Sequence, residues 1–361
     1  MTENIKGLAK LQQLKGLFFN TPLLEIKFQL NGEDKTIYAK YEALSFSGSI
    51  KDRMAYYLFE QAYKNGKLKE NQAIVEVTSG NTGISLSSLG RALGHEVYIV
   101  MPDWLSPERY QLMQLSGANI VKISNQKDGF RKSMQIAEDL AKRDNMYYPN
   151  QFENKINAFA HEQTTACEIE QQLGQVGKKM NRFVAAVGSG GTIMGVDHYY
   201  KKYHKNVICH PVEAKEAPIL STNDSSLSKR HRIQGLNGEF ISKLMNLNEL
   251  GEVISVSDQL SLVLAYQLNK LGLSVGISSG ANFLASLYLL EEYPKDSVVT
   301  VFADSALKYL STDLLKSDLN EVKLPFDLKF KNFSVINAFS EIKLKTLKYA
   351  IDAKSATISK I

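Results

Sequence analysis

The sequence predicts an α/β fold of two domains, each with a mostly parallel central sheet flanked by helices and a cleft between them. Three observations lead there. Short apolar strands alternate with helical stretches over most of the chain. Two strands run into glycine-bearing loops that open helices: AIVEV (Ala73–Val77) into TSGNTG, and FVAAV (Phe183–Val187) into GSGGT. Each helix then leads to a further strand, and a strand–helix–strand crossover implies parallel pairing. With 361 residues, 44% of them hydrophobic, the chain can fill two cores.

Taken in order, SFSGSIKDRMAYY (Ser45–Tyr57) reads as a turn followed by a helix. Ser49 is a suitable N-cap, Asp52 gives a short capping-box pattern, and Ile50, Met54 and Leu58 recur at helical spacing. Lys51 then falls in the first turn, at the positive end of the helix dipole, with Arg53 close behind. TSGNTG (Thr78–Gly83) opens a helix that Gly94 closes, and EVYIVMP is the next strand. GSGGT (Gly188–Thr192) opens a helix to about Tyr203, followed by the strand VICHPVE. GISSGAN (Gly276–Asn282) reads as a serine- and glycine-rich turn before an apolar helix. Near the end, from about Ser340, Leu344, Leu347 and Ile351 are spaced as one apolar stripe among lysines.

Composition narrows the function classes. A net charge of +5 without a dense basic block suits a small anion and argues against nucleic acid. The two cysteines, Cys167 and Cys209, offer neither a disulfide framework nor a paired metal site, as expected of a reducing compartment. The six histidines show no metal-ligand spacing, so no metal is expected. No apolar run approaches a membrane span and the start lacks a signal core, so the expectation is a cytoplasmic protein.

The loops carry the chemistry. In GSGGT, Gly188, Ser189, Gly190, Gly191 and Thr192 form an anion cradle, since glycines let backbone N–H groups approach a phosphate at a helix start. A nicotinamide dinucleotide competes for this loop, with Glu213 near the place of a ribose-binding acid, although the glycine spacing does not fit GxGxxG. TSGNTG puts hydroxyls at a second helix start, a setting for a carboxylate held by Thr78, Ser79 and Thr82, with the Asn81 amide free for another oxygen. A phosphate cradle, a carboxylate cradle and a lysine at a helix start together point to an amino-acid enzyme using pyridoxal phosphate. There the helix end and Arg53 would push the Lys51 pKa down.

On these residues the chain resembles the cysteine synthase and cystathionine β-synthase family, pyridoxal-phosphate enzymes of fold type II. The resemblance runs from NTPLLEI (Asn20–Ile26) to YLSTDLL (Tyr309–Leu315), through SIKDR, TSGNTG, NQFEN, GSGGT, HRIQG and GISSGA in the family's order. It implies that Lys51 holds the cofactor covalently and acts as the catalytic base. It further implies that Asn81 bonds the ring hydroxyl, Gly188 to Thr192 bind the phosphate, and Ser278 faces the ring nitrogen. Thr78, Ser79, Thr82 and Gln151 would take the substrate carboxylate, with Gly235 and Asn237 lining the cavity. The implied organisation is a larger cofactor-binding domain (1–44 and 149–316), a smaller mobile domain (45–148) and an extension (317–361) ending in an amphipathic helix.

The implied reaction is β-replacement at an activated L-serine or L-cysteine through an α-aminoacrylate, most simply O-acetyl-L-serine plus sulfide to L-cysteine. The reverse emphasis is a lyase that releases sulfide from L-cysteine, with water or another nucleophile adding, or with simple elimination. A non-catalytic scaffold that keeps the fold is a third reading. A homodimer acting on small molecules is also implied. Departures from the family concern the substrate: Ser45 and Phe46 replace its usual Asn-Pro, Asn237 a glycine, Ala303 a proline and Lys308 an arginine. Asn237 either keeps a turn through left-handed backbone angles or holds a small polar nucleophile or leaving group.

Overall fold

The structure is a computed structural model that describes residues 3–78, 80–102, 107–123, 129–228, 230–316, 319 and 321–337. The chain begins with α1 (Glu3–Leu14), then β1 (Leu23–Leu30), β2 (Glu33–Tyr41) and α2 (Lys51–Lys64). Next come β3 (Ile74–Val77), α3 (Asn81–Leu93), β4 (Val97–Pro102), α4 (Pro107–Leu115), β5 (Asn119–Ile123) and α5 (Gly129–Arg143). A long helical run follows as α6 (Ile156–His161), a π-helical turn (Glu162–Ala166) and α7 (Cys167–Gln175). The remainder is β6 (Arg182–Ala186), α8 (Gly191–Lys202), β7 (Ile208–Ala214), α9 (Ile219–Thr222), β8 (Ile254–Val256), α10 (Asp258–Lys270), α11 (Ile277–Glu292), β9 (Val298–Phe302) and β10 (Leu328–Ile336).

The strands form two sheets. The larger has the order β10-β1-β2-β9-β6-β7-β8, the smaller β3-β4-β5. From β2 to β8, and throughout the small sheet, pairing is parallel, while β1 pairs antiparallel with both β2 and β10. A parallel sheet must be covered on both faces, and both are. One core of the large sheet joins its strands to α10 and α11 through Leu262, Leu264, Phe283 and Leu284. The other joins them to α7 and α8 through Ile169, Leu173, Ile193 and Val196. In the small sheet the period of two is visible within one strand: Ile74 faces α2 and α3, Val75 and Val77 face α5.

Both glycine-loop units form as expected, and Gly94 caps α3 in the left-handed region at φ +96°. Three expectations change. GISSGAN is already helical from Ile277, so Ser278 sits in the first turn of α11 instead of in a turn before it. The segment after Leu315 contributes β10 to the large sheet's edge, a strand its lysine-rich sequence did not announce. Ser49 is not a side-chain cap of α2, whose N-cap is Ile50, and the Ser49 hydroxyl is buried without a partner. The amphipathic helix expected after Ser340 lies outside the described residues. No described helix is long and apolar enough to cross a membrane.

Candidate active site

Lys51 is the first residue of α2, and the preceding turn is folded around the next side chain. The Asp52 carboxylate accepts hydrogen bonds from the Ser47 N–H (2.7 Å), the Ser47 hydroxyl (2.6 Å), the Ser45 hydroxyl (2.5 Å) and the Ser49 N–H (3.4 Å). Half of the predicted capping box therefore exists, carried by the acid alone. The Lys51 side-chain amine makes no hydrogen bond or ion pair with any described residue. Burial of its amine lowers its pKa, against the pull of the Asp304 and Glu42 carboxylates.

Arg53, expected from sequence to press on Lys51, is engaged instead by two buried carboxylates. Its guanidinium is fully buried and spoken for, reaching Glu42 at 2.8 Å and Glu168 at 2.7 Å. Lys40 joins the same cluster, donating to Gln172 Oε1 and the Thr21 carbonyl at 2.6 Å each and pairing with Glu168 at 2.8 Å. Two cations and two carboxylates thus balance behind the first turn of α2, anchoring the helix that carries Lys51 to β2 and α7.

The two glycine loops meet through a continuous chain of hydrogen bonds. The Thr82 hydroxyl donates to Gln151 Oε1 (2.7 Å), and Gln151 Nε2 donates to the Val77 carbonyl (2.8 Å). Asn157 Nδ2 then donates both to the Gln151 carbonyl (2.8 Å) and to the Ser189 hydroxyl (2.9 Å). The GSGGT backbone is packed too closely for side chains. A Cβ at Gly191 would lie 1.9 Å from Asn157 Oδ1, one at Gly188 2.5 Å from the Gly235 carbonyl, and Gly190 is left-handed at φ +83°. The loop thus presents backbone at the start of α8, as an anionic group requires. His161, buried and held well below the ordinary histidine pKa by desolvation and by Lys51, lies between Thr165 (2.9 Å) and the Thr192 hydroxyl (3.4 Å).

The far wall comes from the segment after β9. The Ile50 N–H donates to the Ala303 carbonyl at 2.9 Å, and Ser49 bridges Asp304. Asp304 Oδ2 accepts from Asn81 Nδ2 and from the Tyr309 hydroxyl, both at 2.7 Å, while Oδ1 is buried and unpaired. Lys308 Nζ donates to Asn81 Oδ1 (3.0 Å) and to the Gly48 carbonyl (3.1 Å). Arg109, nearly buried on α4, lies over the Tyr309 ring and fills the space where a Cβ of Gly80 would be.

The sequence-predicted residues converge here. Thr82, Gln151 and Ser189 are joined through Asn157, against which Gly191 packs; Asn81 meets Asp304 and Lys308, and Thr192 meets His161. Gly188 meets Gly235, and the Asn237 N–H donates to the Val187 carbonyl at 3.0 Å. Thr78 is buried and accepts from the Gly80 N–H (3.1 Å), and Ser278 is buried two residues beyond Gly276, whose N–H donates to the Asp304 carbonyl (3.1 Å). Ser79 lies outside the described residues. Asn237 is not left-handed; that conformation belongs to Gly235 at φ +102°, and Asn237 Nδ2 is buried without a partner. Glu213 cannot serve a ribose, since its carboxylate is occupied by the Ser221 and Ser255 hydroxyls and the Leu220 N–H. Sequence reasoning gave no role to Asn157, Asp304 or Arg109. Asn157 and Asp304 sit inside or beside quoted motifs, but nothing in a linear pattern shows which loops they join. Away from the cleft, Asp197, His198 and Glu249 bring ligand atoms within 4.8 Å, a cluster the histidine spacing did not show, and Lys201 already pairs with Asp197 (2.7 Å) and Glu249 (3.4 Å).

A family model described as pyridoxal-phosphate dependent enzyme matches residues 14–304. Cysteine synthase B of Campylobacter jejuni is 37% identical over 305 residues, which cover 84% of this chain and 98% of that protein. A probable cysteine synthase of Bacillus subtilis is 35% identical over 303 residues, covering 82% and 96%. Among solved structures, a hydrogen sulfide-producing enzyme from Fusobacterium nucleatum superposes with a TM-score of 0.86 at 40% identity, covering 91% of this chain and 99% of that one.

Proposed function

The chain belongs to the family of pyridoxal-phosphate dependent enzymes, and on that premise we propose that it performs β-replacement at an activated L-serine, with O-acetyl-L-serine and sulfide giving L-cysteine as its most direct reaction. The observation that supports this reading is the hydrogen-bonded chain Thr82–Gln151–Asn157–Ser189, which ties the TSGNTG loop, read as the carboxylate site, to the GSGGT loop, read as the phosphate site. An enzyme that must hold an amino acid and a phosphorylated cofactor in one geometry needs that connection.

The residues fit the cofactor. The crowded Gly188–Gly191 backbone and Thr192 would hold its phosphate, Asn81 its ring hydroxyl, Ser278 its ring nitrogen and Lys51 its aldehyde carbon. Bound there, pyridoxal phosphate supplies the electron sink that acidifies the substrate Cα–H and lets the β-substituent leave. Thr78, Ser79, Thr82 and Gln151 bind the substrate carboxylate and so aim the Cα–H at Lys51 Nζ. That amine, with its pKa lowered by burial, takes the proton. The contacts of α3 and α4 with the 304–311 segment, Asn81 with Asp304 and Lys308 and Glu108 with Ser311, exclude water while the nucleophile adds. The same reading carries a homodimer in a reducing, cytoplasmic compartment; a solution mass of one chain would refute the dimer.

A second reading is favoured by one observation. Asn237 Nδ2 is a buried donor with no partner, beside the loop that follows β6. An amide there can orient a small nucleophile but cannot deprotonate it, which suits release of sulfide from L-cysteine with water adding slowly or not at all. The holoenzyme given L-cysteine alone, with sulfide, L-serine and pyruvate assayed, separates the two. Sulfide with L-serine or pyruvate establishes the lyase. No turnover of L-cysteine, with O-acetyl-L-serine plus sulfide yielding L-cysteine, establishes the synthase.

A further inference from the structure

A buried carboxylate beside a lysine ordinarily becomes its counter-ion, and Asp304 is that carboxylate here: it is fully buried, and its Oδ1 has no hydrogen-bond donor. Such a pair would hold Lys51 as an ammonium and make it a poor nucleophile. A second buried cation, Lys308, interacts with the same carboxylate. Burial lowers the Lys308 pKa against the pull of the Asp304 and Asp52 carboxylates, and its Nζ, 3.0 Å from Asn81 Oδ1, donates there as an ammonium. An ammonium only donates and a carboxylate only accepts, so Lys308 and Asp304 together leave the Asn81 amide one orientation. Its oxygen meets Lys308, one N–H meets Asp304 at 2.7 Å, and the second N–H has no partner among the described residues.

We propose that Lys308 is a positioning residue: its ammonium orients the Asn81 amide and balances Asp304, so that Lys51 is left free to meet the cofactor as a neutral amine. This rests on the reading of Lys51 as the cofactor's anchor. It also gives a physical reason for a lysine at 308. A single slim ammonium reaches both the Gly48 carbonyl and Asn81 Oδ1, where a planar fork would address two acceptors side by side. The other charged groups facing the two lysines are accounted for. Glu42 also faces Lys51 but is bonded by Arg53 and Thr21, and His161 faces Lys51 as a buried neutral ring. Asp52 and Arg109 face Lys308, the former saturated by the 45–49 turn.

The test is cofactor capture by the apo-protein: the Lys51 lone pair attacks the aldehyde carbon of added pyridoxal phosphate, one water leaves, and absorbance reports the rate as a function of pH. Lys308→Met should raise the midpoint pH of capture by about one unit, roughly a tenfold slower rate at neutral pH. Lys308→Arg, which keeps the charge although its fork fits the two acceptors less well, should raise the midpoint less than Lys308→Met, and a rise equal to that of Lys308→Met overturns the charge-balance proposal. The double variant Asp304→Asn with Lys308→Met should return toward the parent midpoint. Asp304→Asn alone, which keeps the shape and serves even if Lys308→Met does not fold, should lower the midpoint. An unchanged midpoint in folded Lys308→Met, an equal shift in the double variant, or a rise in Asp304→Asn overturns the proposal. Covalent capture by Lys51→Ala would instead overturn the functional reading itself, whatever Lys308 does.

Discussion

Arg53 was legible in the sequence only as a charge near Lys51, whereas its guanidinium is engaged by Glu42 and Glu168. What fixes its role is distance along the chain: its partners Glu42 and Glu168 lie 11 and 115 residues away, and no local pattern joins them. The cluster gives a firm stability prediction. Glu168 bridges Arg53 and Lys40 in a nearly dry site, and these cations outweigh its desolvation, holding its carboxyl down to about 2. Glu168→Gln strands two buried cations with one remaining carboxylate and should cost about 3–5 kcal/mol at neutral pH. The pH dependence follows from the sign of the shift. A carboxyl whose folded pKa is depressed contributes stability above its unfolded value near 4.5, and that contribution is lost as pH falls toward about 2. Urea unfolding of both proteins at pH 7 and pH 3 checks it: the gap between them should narrow in acid. Equal stability at pH 7 would mean the cluster does not hold the helix.

At the scale of elements, the two glycine loops were the most legible part of the molecule, because strand, glycine turn and helix start are contiguous and each has its own residue signature. Their connection was not legible. Asn157 joins the Gln151 carbonyl to the Ser189 hydroxyl from a helix of six residues that carries no loop motif of its own. The prediction at this scale concerns the close approach of that helix to the loop. Gly191→Ala would place a methyl 1.9 Å from Asn157 Oδ1, so either the loop or α6 must move. Either movement breaks the chain to Gln151. We expect pyridoxal phosphate affinity to fall by about a hundredfold or more, about 3 kcal/mol, with the thermal midpoint of the apo-protein changing little. Asn157→Ala should weaken the cofactor by less, on the order of tenfold, since it removes hydrogen bonds without inserting bulk. Equilibrium dialysis against the cofactor measures both. Equal losses would mean that the amide, and not the close packing, is what the loop depends on.

For the whole molecule, the parallel sheets followed from alternating elements, whereas the edge of the large sheet did not. In β10, LKFKNFSVI alternates lysine with aromatic residues and carries a bulge opposite Lys27 and Phe28, so neither a continuous apolar run nor a hairpin turn marks it. Its pairing with β1 was therefore invisible to local reasoning, yet it reaches the site by two steps. Phe330 packs against Phe28 and Phe283, closing one core of the large sheet. The Ile336 carbonyl accepts from Gln172 Nε2 at 2.9 Å, and Gln172 Oε1 accepts from Lys40, a member of the cluster behind Lys51. Removing β10 should thus do more than expose the β1 edge to aggregation. A chain ending after Pro325 should lose thermal stability on the order of 5 °C or more and bind pyridoxal phosphate more weakly, because Lys40 and Gln172 lose their frame. A chain ending after Asn337 keeps β10 and should match the full-length protein in both respects. Thermal unfolding with and without cofactor separates the outcomes. If both truncations behave alike, whichever way they go, β10 is not what couples the sheet edge to Lys51.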